Sequence, residues 1–201
     1  KMIFSMTEEE FDSVVRVHLK GHFVNMRHAA AYWREKAKTT GGTVYGRLVS
    51  TSSEAFLYGS VGQPNYAAAK AGIVAMTMGA AQALVKYGVT ANVIMPRART
   101  DMTMGGGTAA LFEKPAEGFD HFDPAHVAPF VGYLASPRAQ RISGYVFVVW
   151  GKQVTVVEGP KLGTVFENDG QWTVDQLDAA MSPHFEKLRP ILDGFAVDPM
   201  A

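Results

Sequence analysis

Three short apolar runs alternate with helical segments along the first 150 residues of this chain. The runs end near Thr51, cover residues 89–95 and cover residues 145–150. Apolar runs of this length between turn residues are typical of strands buried on both faces of a sheet. Because strands joined through helices pair in parallel, the alternation predicts an α/β fold.

Two long helices are predicted from apolar residues that recur at helical spacing. A capping-box pattern at Thr7 begins the first helix, which covers about residues 7–38. Pro64 suits the first position of the second helix, which covers about residues 65–87 and ends at Gly88.

The segment over residues 96–123 lacks regular periodicity and contains a glycine triplet and several aromatic residues. Long irregular segments in compact domains are often lids over active sites, so residues 99–123 are predicted to form a lid. A short helix is predicted after it, over about residues 123–135.

The last fifty residues depart from the α/β pattern. The stretch "KQVTVVEGPKLGTVFE" suggests two short strands, and Thr173 with Gln176 forms a capping-box pattern that opens a helix containing Pro183. We therefore divide the chain into residues 1–150, which carry the α/β pattern, and residues 151–201, a C-terminal extension. We expect the extension to pack as an arm on the domain or on a partner subunit.

Composition excludes several classes of function. The formal net charge of zero does not point to nucleic acid or to an anionic membrane surface. The absence of cysteine excludes disulfides, thiolate catalysis and zinc–cysteine sites. No membrane-spanning run and no targeting signal is recognised in the sequence, so a cytoplasmic location is expected.

The stretch "SEAFLYGSVGQPNYAAAKAG" carries the residues of greatest chemical interest. Tyr66 and Lys70 are four residues apart, which places them on one face of the predicted helix. An ammonium group beside a phenol favours the phenolate, so we expect Lys70 to lower the pKa of Tyr66 and to suit it for acid–base catalysis. Ser53 stands at the end of a predicted strand, at the sheet edge where open α/β sheets bind ligands.

Other interpretations of these residues have less support. A Tyr-x-x-x-Lys pair alone is usually a solvated surface pair. Ser53 with Lys70 resembles a hydrolase pair, but no nucleophile-elbow pattern is present. His18 and His22 are spaced for a metal, but no carboxylate lies between them as in a metalloprotease helix, and no metal site is predicted.

The combination of Ser53 with "YAAAKAG" at this spacing resembles the active-site block of the short-chain dehydrogenase/reductase family. The resemblance extends from Met6 to about Trp150. It implies a Rossmann-type doubly wound parallel sheet and an oxidoreductase that interconverts a secondary alcohol and a ketone. It also implies NAD or NADP as cofactor, with a slight preference for NAD.

The resemblance assigns roles to particular residues. Tyr66 corresponds to the catalytic acid/base, and Ser53 to the residue that orients the substrate carbonyl. Lys70 corresponds to the residue that lowers the tyrosine pKa and binds the nicotinamide ribose together with Tyr66. The stretch "NVIMPRARTDMT" resembles the family segment that contacts the nicotinamide and pyrophosphate, which implies cofactor contacts by Pro96, Thr100 and Met102. Arg97 stands where that family segment has glycine.

The stretch "VHLKGHF" resembles a family segment whose asparagine completes a catalytic tetrad, and His18 stands in its place. Together these motifs most resemble the (3R)-hydroxyacyl-CoA dehydrogenase units of multifunctional β-oxidation enzymes and their bacterial relatives. A 3-hydroxyacyl-CoA, or a steroid-type substrate, is therefore expected. By position, Glu54, Gln63 and Met104 are predicted to line the substrate pocket with Ser53. The long N-terminal helix and the alanine-rich helix are expected to form a face for a homodimer or a homotetramer.

The family's glycine-rich strand–turn–helix, which seats the cofactor pyrophosphate, is missing from this sequence. Two explanations were considered. We expect the parent chain to be longer and to contain that half. The alternative is a non-catalytic dimerisation or binding remnant that has lost the nucleotide-binding half.

Overall fold

The computed structural model describes residues 1–105, 109–159 and 162–188 of the chain. They belong to two compact units, Lys1–Val157 and Glu158–Ala201. The α-helices of the first unit are α1 (Glu8–Val15), α2 (Gly21–Thr40), α3 (Ala55–Tyr58), α4 (Pro64–Leu84), α5 (Asp101–Met104) and α6 (Ala128–Ala135). Its strands are β1 (Gly46–Thr51), β2 (Val89–Pro96), β3 (Val146–Trp150) and β4 (Gln153–Val157). Short 3₁₀ turns lie at Ile3–Ser5, Val85–Tyr87, Ala109–Phe112, Pro124–His126 and Pro137–Ala139.

The four strands form one sheet in the order β1-β2-β3-β4. β1 and β2 are parallel with Gly46 opposite Val89, and β2 and β3 are parallel with Val93 opposite Val146. β4 is antiparallel to β3. The predicted α/β architecture with a parallel sheet is confirmed, and an antiparallel edge strand extends it.

Helices cover both faces of the sheet, as in a doubly wound fold. On one face Val74 of α4 belongs to a core cluster with Val93, Met95 and Val148. On the other face Leu134 of α6 packs with Ile94, Phe147 and Val149. Successive residues of one strand point to opposite faces, which explains why β3 is apolar throughout and why β2 is apolar except for the buried Thr90 and Asn92.

The predicted N-terminal helix is nearly continuous from α1 to α2. The capping box at Thr7 is present, and Gly41 ends α2 in the left-handed conformation with φ of 67°. A π-helical turn, Arg16–Lys20, separates the two helices. π turns place an extra residue in the helix and are frequent at functional sites. This turn contains His18.

Helix α4 begins at Pro64, as predicted, and the left-handed Gly88 follows its 3₁₀ extension. The expectation that no segment has the length and hydropathy of a membrane span was wrong. The helical segment Pro64–Tyr87 is 24 residues long, and an 18-residue window within it has a mean hydropathy of 1.3. Length and composition alone are weak evidence for a membrane span, because a buried core helix passes the same test. Here α4 packs on β1, β2 and α1.

The C-terminal segment supplies β4 and helix α7 (Val174–Phe185). β4 corresponds to the first of the two suggested strands and adds residues after position 150 to the sheet. The second suggested strand is wrong over its described residues, since 162–169 contain no strand. Helix α7 has the predicted capping box between Thr173 and Gln176. How the extension packs stays a prediction.

Candidate active site

The carboxyl ends of β1 and β2 and the first turns of α4 converge at one edge of the sheet. Ser53 follows β1, and Arg97 follows β2. Tyr66 and Lys70 lie in the first two turns of α4. The fold therefore brings Ser53, Tyr66 and Lys70 to the edge where the sequence predicted a site.

Lys70 is joined to the end of β1 at both its side chain and its backbone. Its ammonium Nζ donates to the Thr51 carbonyl at 2.9 Å, and its own carbonyl accepts from the Ser52 hydroxyl at 2.9 Å. Its Nζ also lies 5.3 Å from the centroid of the Tyr66 ring. An ammonium carries three donors, so donors remain for the hydroxyl groups of a ligand such as a ribose.

The expected lowering of the Tyr66 pKa by Lys70 is wrong for this arrangement. Burial raises the pKa of Tyr66 above its ordinary value, because removal from water disfavours the phenolate. A hydrogen bond with Ser53 lowers the same pKa, but by less than burial raises it. Burial also lowers the pKa of Lys70, whose side chain is only 5% exposed.

His18 completes the group around Tyr66. Its imidazole meets the Tyr66 ring edge-on, with ring centroids 5.2 Å apart. Burial, followed by the charges of Lys70 and His22, lowers the pKa of His18. The neutral imidazole is therefore favoured near neutral pH.

His22 contacts both the π turn and the end of β1, a role that the sequence did not suggest. Its Nδ1 lies 2.7 Å from the His18 carbonyl, and its Nε2 accepts from the Thr51 backbone N–H at 3.4 Å. This pair of bonds requires the tautomer with a proton on Nδ1. His22 thus ties the π turn to the end of β1. The four-residue spacing of His18 and His22 was its only signal in the sequence. Among the described residues, no cluster of three metal-ligating side chains is found.

The residues predicted to line the substrate pocket have different environments. Ser53 lies beside Tyr66, and its hydroxyl also accepts from the Ala55 N–H at 3.3 Å. Gln63 and Met104 are exposed. Glu54 is 5% exposed, and both its carboxylate oxygens accept from Arg97. The pocket role predicted for Glu54 stays a prediction, and the structure adds that Glu54 forms an ion pair with Arg97.

The residues predicted to contact a cofactor lie at or just after the end of β2. Pro96 is the last residue of that strand, opposite Val149 of β3. Thr100 caps α5 by accepting from the Thr103 N–H, and Met102 is 82% exposed. Their contacts with the nicotinamide end of a dinucleotide stay a prediction.

The fold and the side-chain arrangement define a class of protein. A protein-family model described as "short chain dehydrogenase" matches residues 1–109, more than half of the chain. The chain belongs to the short-chain dehydrogenase family, which confirms the resemblance seen in the sequence.

Individual relatives agree with this assignment. Hydroxyacyl-CoA dehydrogenase ChsB1 of Mycobacterium tuberculosis is 51% identical over 202 residues, which cover 100% of this chain and 63% of that protein. The peroxisomal hydratase-dehydrogenase-epimerase of Neurospora crassa is 33% identical over 153 residues, 75% of this chain and 15% of that protein. The crystal structure of a short chain dehydrogenase from Mycobacterium avium matches with a TM-score of 0.82 and 41% identity, over 98% of this chain and 64% of that one. The chain therefore spans less than two thirds of the length of these relatives.

Proposed function

We propose that this chain carries the proton-transfer site of a nicotinamide-dependent dehydrogenase that interconverts a 3-hydroxyacyl-CoA and its 3-oxo counterpart. The observation that carries the proposal is the convergence of Tyr66, Ser53, Lys70 and His18 at the carboxyl edge of the parallel strands. Four polar groups of complementary chemistry at this edge are typical of a catalytic centre rather than of packing alone.

In this proposal Tyr66 moves the proton of the substrate oxygen. A phenol is protonated near neutral pH, so it can donate a proton to a ketone oxygen as that oxygen becomes a hydroxyl. In the reverse direction the phenolate accepts the hydroxyl proton. Ser53 donates a hydrogen bond to the same substrate oxygen and fixes its position.

A bound nicotinamide dinucleotide would supply the hydride donor or acceptor. Lys70, Tyr66, Pro96, Thr100 and Met102 are the residues of this chain that would hold its nicotinamide end. Lys70 suits the ribose hydroxyls because its ammonium is fixed by Thr51 and lies beside Tyr66. The choice between NAD and NADP is part of the test below.

The substrate class is supported by the named relatives. ChsB1 is a hydroxyacyl-CoA dehydrogenase by name, and its similarity covers the whole chain. This similarity favours an enzyme over the non-catalytic remnant considered from the sequence. A steroid-type substrate, a cytoplasmic location and a homodimer or homotetramer stay predictions.

The test compares wild type, Tyr66→Phe and Tyr87→Phe in the native polypeptide that carries this sequence. Nicotinamide absorbance is followed with 3-hydroxyacyl-CoA and either NAD or NADP. We expect Tyr66→Phe to lose at least about 100-fold in kcat, because it removes the group that transfers the proton. Tyr87→Phe, at the other end of the same helical segment, controls for loss of a phenol and should keep wild-type rates. Equal rates in Tyr66→Phe and wild type would contradict the proposal.

A further inference from the structure

A buried ion pair lies directly beside the proposed site. Arg97 Nε donates to Glu54 Oε2 at 2.7 Å, and Arg97 Nη2 donates to Oε1 at 2.6 Å. The side chains of Arg97 and Glu54 are 18% and 5% exposed. A two-point contact of this kind restricts both distance and orientation, unlike a single contact with a flexible lysine.

The pair joins the ends of two parallel strands. Glu54 follows Ser53 and caps α3, where its carbonyl accepts from the Leu57 N–H at 2.9 Å. Arg97 follows β2, and its backbone N–H donates to the Val149 carbonyl of β3 at 3.1 Å. Fixing Glu54 therefore restricts the peptide of Ser53 relative to the turn after β2.

The guanidinium is held on its other side by an aromatic ring. Arg97 lies over Trp150, with its central carbon 5.0 Å from the ring centroid. Trp150 in turn stacks on Phe122 of the predicted lid, with centroids 5.5 Å apart. The Arg99 backbone N–H donates to the Phe122 carbonyl at 2.7 Å. Phe122 is therefore also bonded to the segment that follows β2. The ion pair is thus at the centre of contacts that reach from Ser53 to the lid.

We propose that Glu54 and Arg97 form a clamp that positions Ser53 against Tyr66 for the reaction. The inference rests on the proposed function. Glu54 and Arg97 are positioning residues and act through Ser53. Arg97 stands where the family segment has glycine, so the clamp depends on a side chain that the family pattern does not supply.

The test uses Glu54→Gln, Arg97→Lys and the double variant in the native polypeptide. Arg97→Lys keeps the charge but loses the two-point contact, and Glu54→Gln keeps the shape but loses the charge. Arg47→Lys is the matched control, because Arg47 donates to Gln140 and to the Gly46 carbonyl at the opposite end of β1. For each protein we measure kcat and KM, the thermal midpoint, and hydrogen exchange of the peptide covering residues 52–58.

We expect each single clamp variant to lower kcat by about 10- to 100-fold, because small misplacement of a positioning group has effects of this size. KM should change by less than about threefold, and exchange over residues 52–58 should become faster. The double variant should lose no more than the worse single variant, because both remove one contact. Arg47→Lys should change neither kcat nor exchange at residues 52–58.

Two results would overturn the clamp. One is wild-type kcat in both single variants while Tyr66→Phe is inactive. The other is a lower kcat with unchanged exchange over residues 52–58, since that would remove Ser53 positioning as the cause. Failure of the proposed function is distinguishable from both, because wild type itself would then show no turnover with any 3-hydroxyacyl-CoA and either dinucleotide.

Discussion

At the residue scale, the phenol of Tyr66 and the ammonium of Lys70 share a helix face, yet burial dominates the pKa of each. Removal from water raises one pKa and lowers the other, so both groups tend toward their neutral forms. The ammonium is instead directed to the Thr51 carbonyl, 2.9 Å away. Spacing along a helix predicts which side chains are neighbours, but solvent exposure decides the direction of the pKa shift.

The histidine beside Tyr66 leads to a prediction about pH and stability. The pKa of His18 is lowered in the folded protein, mainly by burial. Below the unfolded value of about 6.5, the unfolded chain therefore binds more protons than the folded one, and stability falls as pH falls through this window. We expect His18→Asn to lose less stability than wild type between pH 7 and pH 5.

Denaturant unfolding at both pH values measures the difference. His28→Asn, on the exposed side of α2, is the control for replacing a histidine and should follow wild type. The same loss of stability in His18→Asn and wild type would show that burial of the imidazole is not the cause.

At the element scale, close packing between α4 and the π turn places His18 next to Tyr66. A Cβ on Gly72 would lie 2.9 Å from Leu19 Cδ1, so the helix approaches the turn where it has no side chain. The glycine at this position thus allows α4 and the π turn to approach closely. Of the two glycines in α4, Gly72 is the one in close contact, because a Cβ on Gly79 would meet nothing within 4 Å.

These two glycines allow a matched experiment. We expect Gly79→Ala to stabilise the protein by about 0.5–1 kcal/mol, because alanine has the higher helix propensity and the space is open. Gly72→Ala should instead destabilise it by about 1–2 kcal/mol, since overpacking against Leu19 outweighs the same gain in propensity. Chemical denaturation of both variants measures the change in the free energy of unfolding. Adding Leu19→Ala to Gly72→Ala should reduce the destabilisation that overpacking causes. Stabilisation by Gly72→Ala would show that Leu19 moves aside freely.

At the scale of the whole molecule, the two faces of the sheet have different roles. Both faces carry apolar core, but the helix on one face, α4, also carries Tyr66 and Lys70 of the proposed site. Leu134 of α6 is 1% exposed and packs with Ile94, Phe147 and Val149. The second face supports the strands whose ends carry the site.

Truncation of Leu134 distinguishes the contribution of this face to stability from any contribution to kcat. We expect Leu134→Ala to lower the free energy of unfolding by about 2–5 kcal/mol through lost burial and a cavity. At temperatures where the variant stays folded, kcat should remain near the wild-type value, because Leu134 contacts none of the proposed catalytic side chains. Unfolding curves and steady-state rates on the same preparation measure both quantities. A large loss of kcat in folded Leu134→Ala would show that the two faces are coupled.

Much of the fold could be predicted because the relevant signals are local. Buried strands contain apolar runs, and helices begin at capping residues such as Thr7 and Thr173 and end at glycines such as Gly41. The π turn could not be predicted, because a single extra residue in a helix leaves no periodic signal over five residues. Edge strand β4 is the first of the two short strands suggested from the sequence, but its pairing with β3 depends on the fold of the whole sheet.

The sequence by itself determined the α/β order, because apolar runs and helical segments alternate along the chain. The family and the group Ser53, Tyr66 and Lys70 came from the resemblance of short motifs to those of a known family. Only the tertiary structure decided the partners of that group. The commitment of Glu54 to Arg97, the link from His22 to Thr51 and the upward direction of the Tyr66 pKa all depend on groups distant in the chain. Burial and long-range contacts arise when the strand ends meet, and no local pattern encodes where those ends meet.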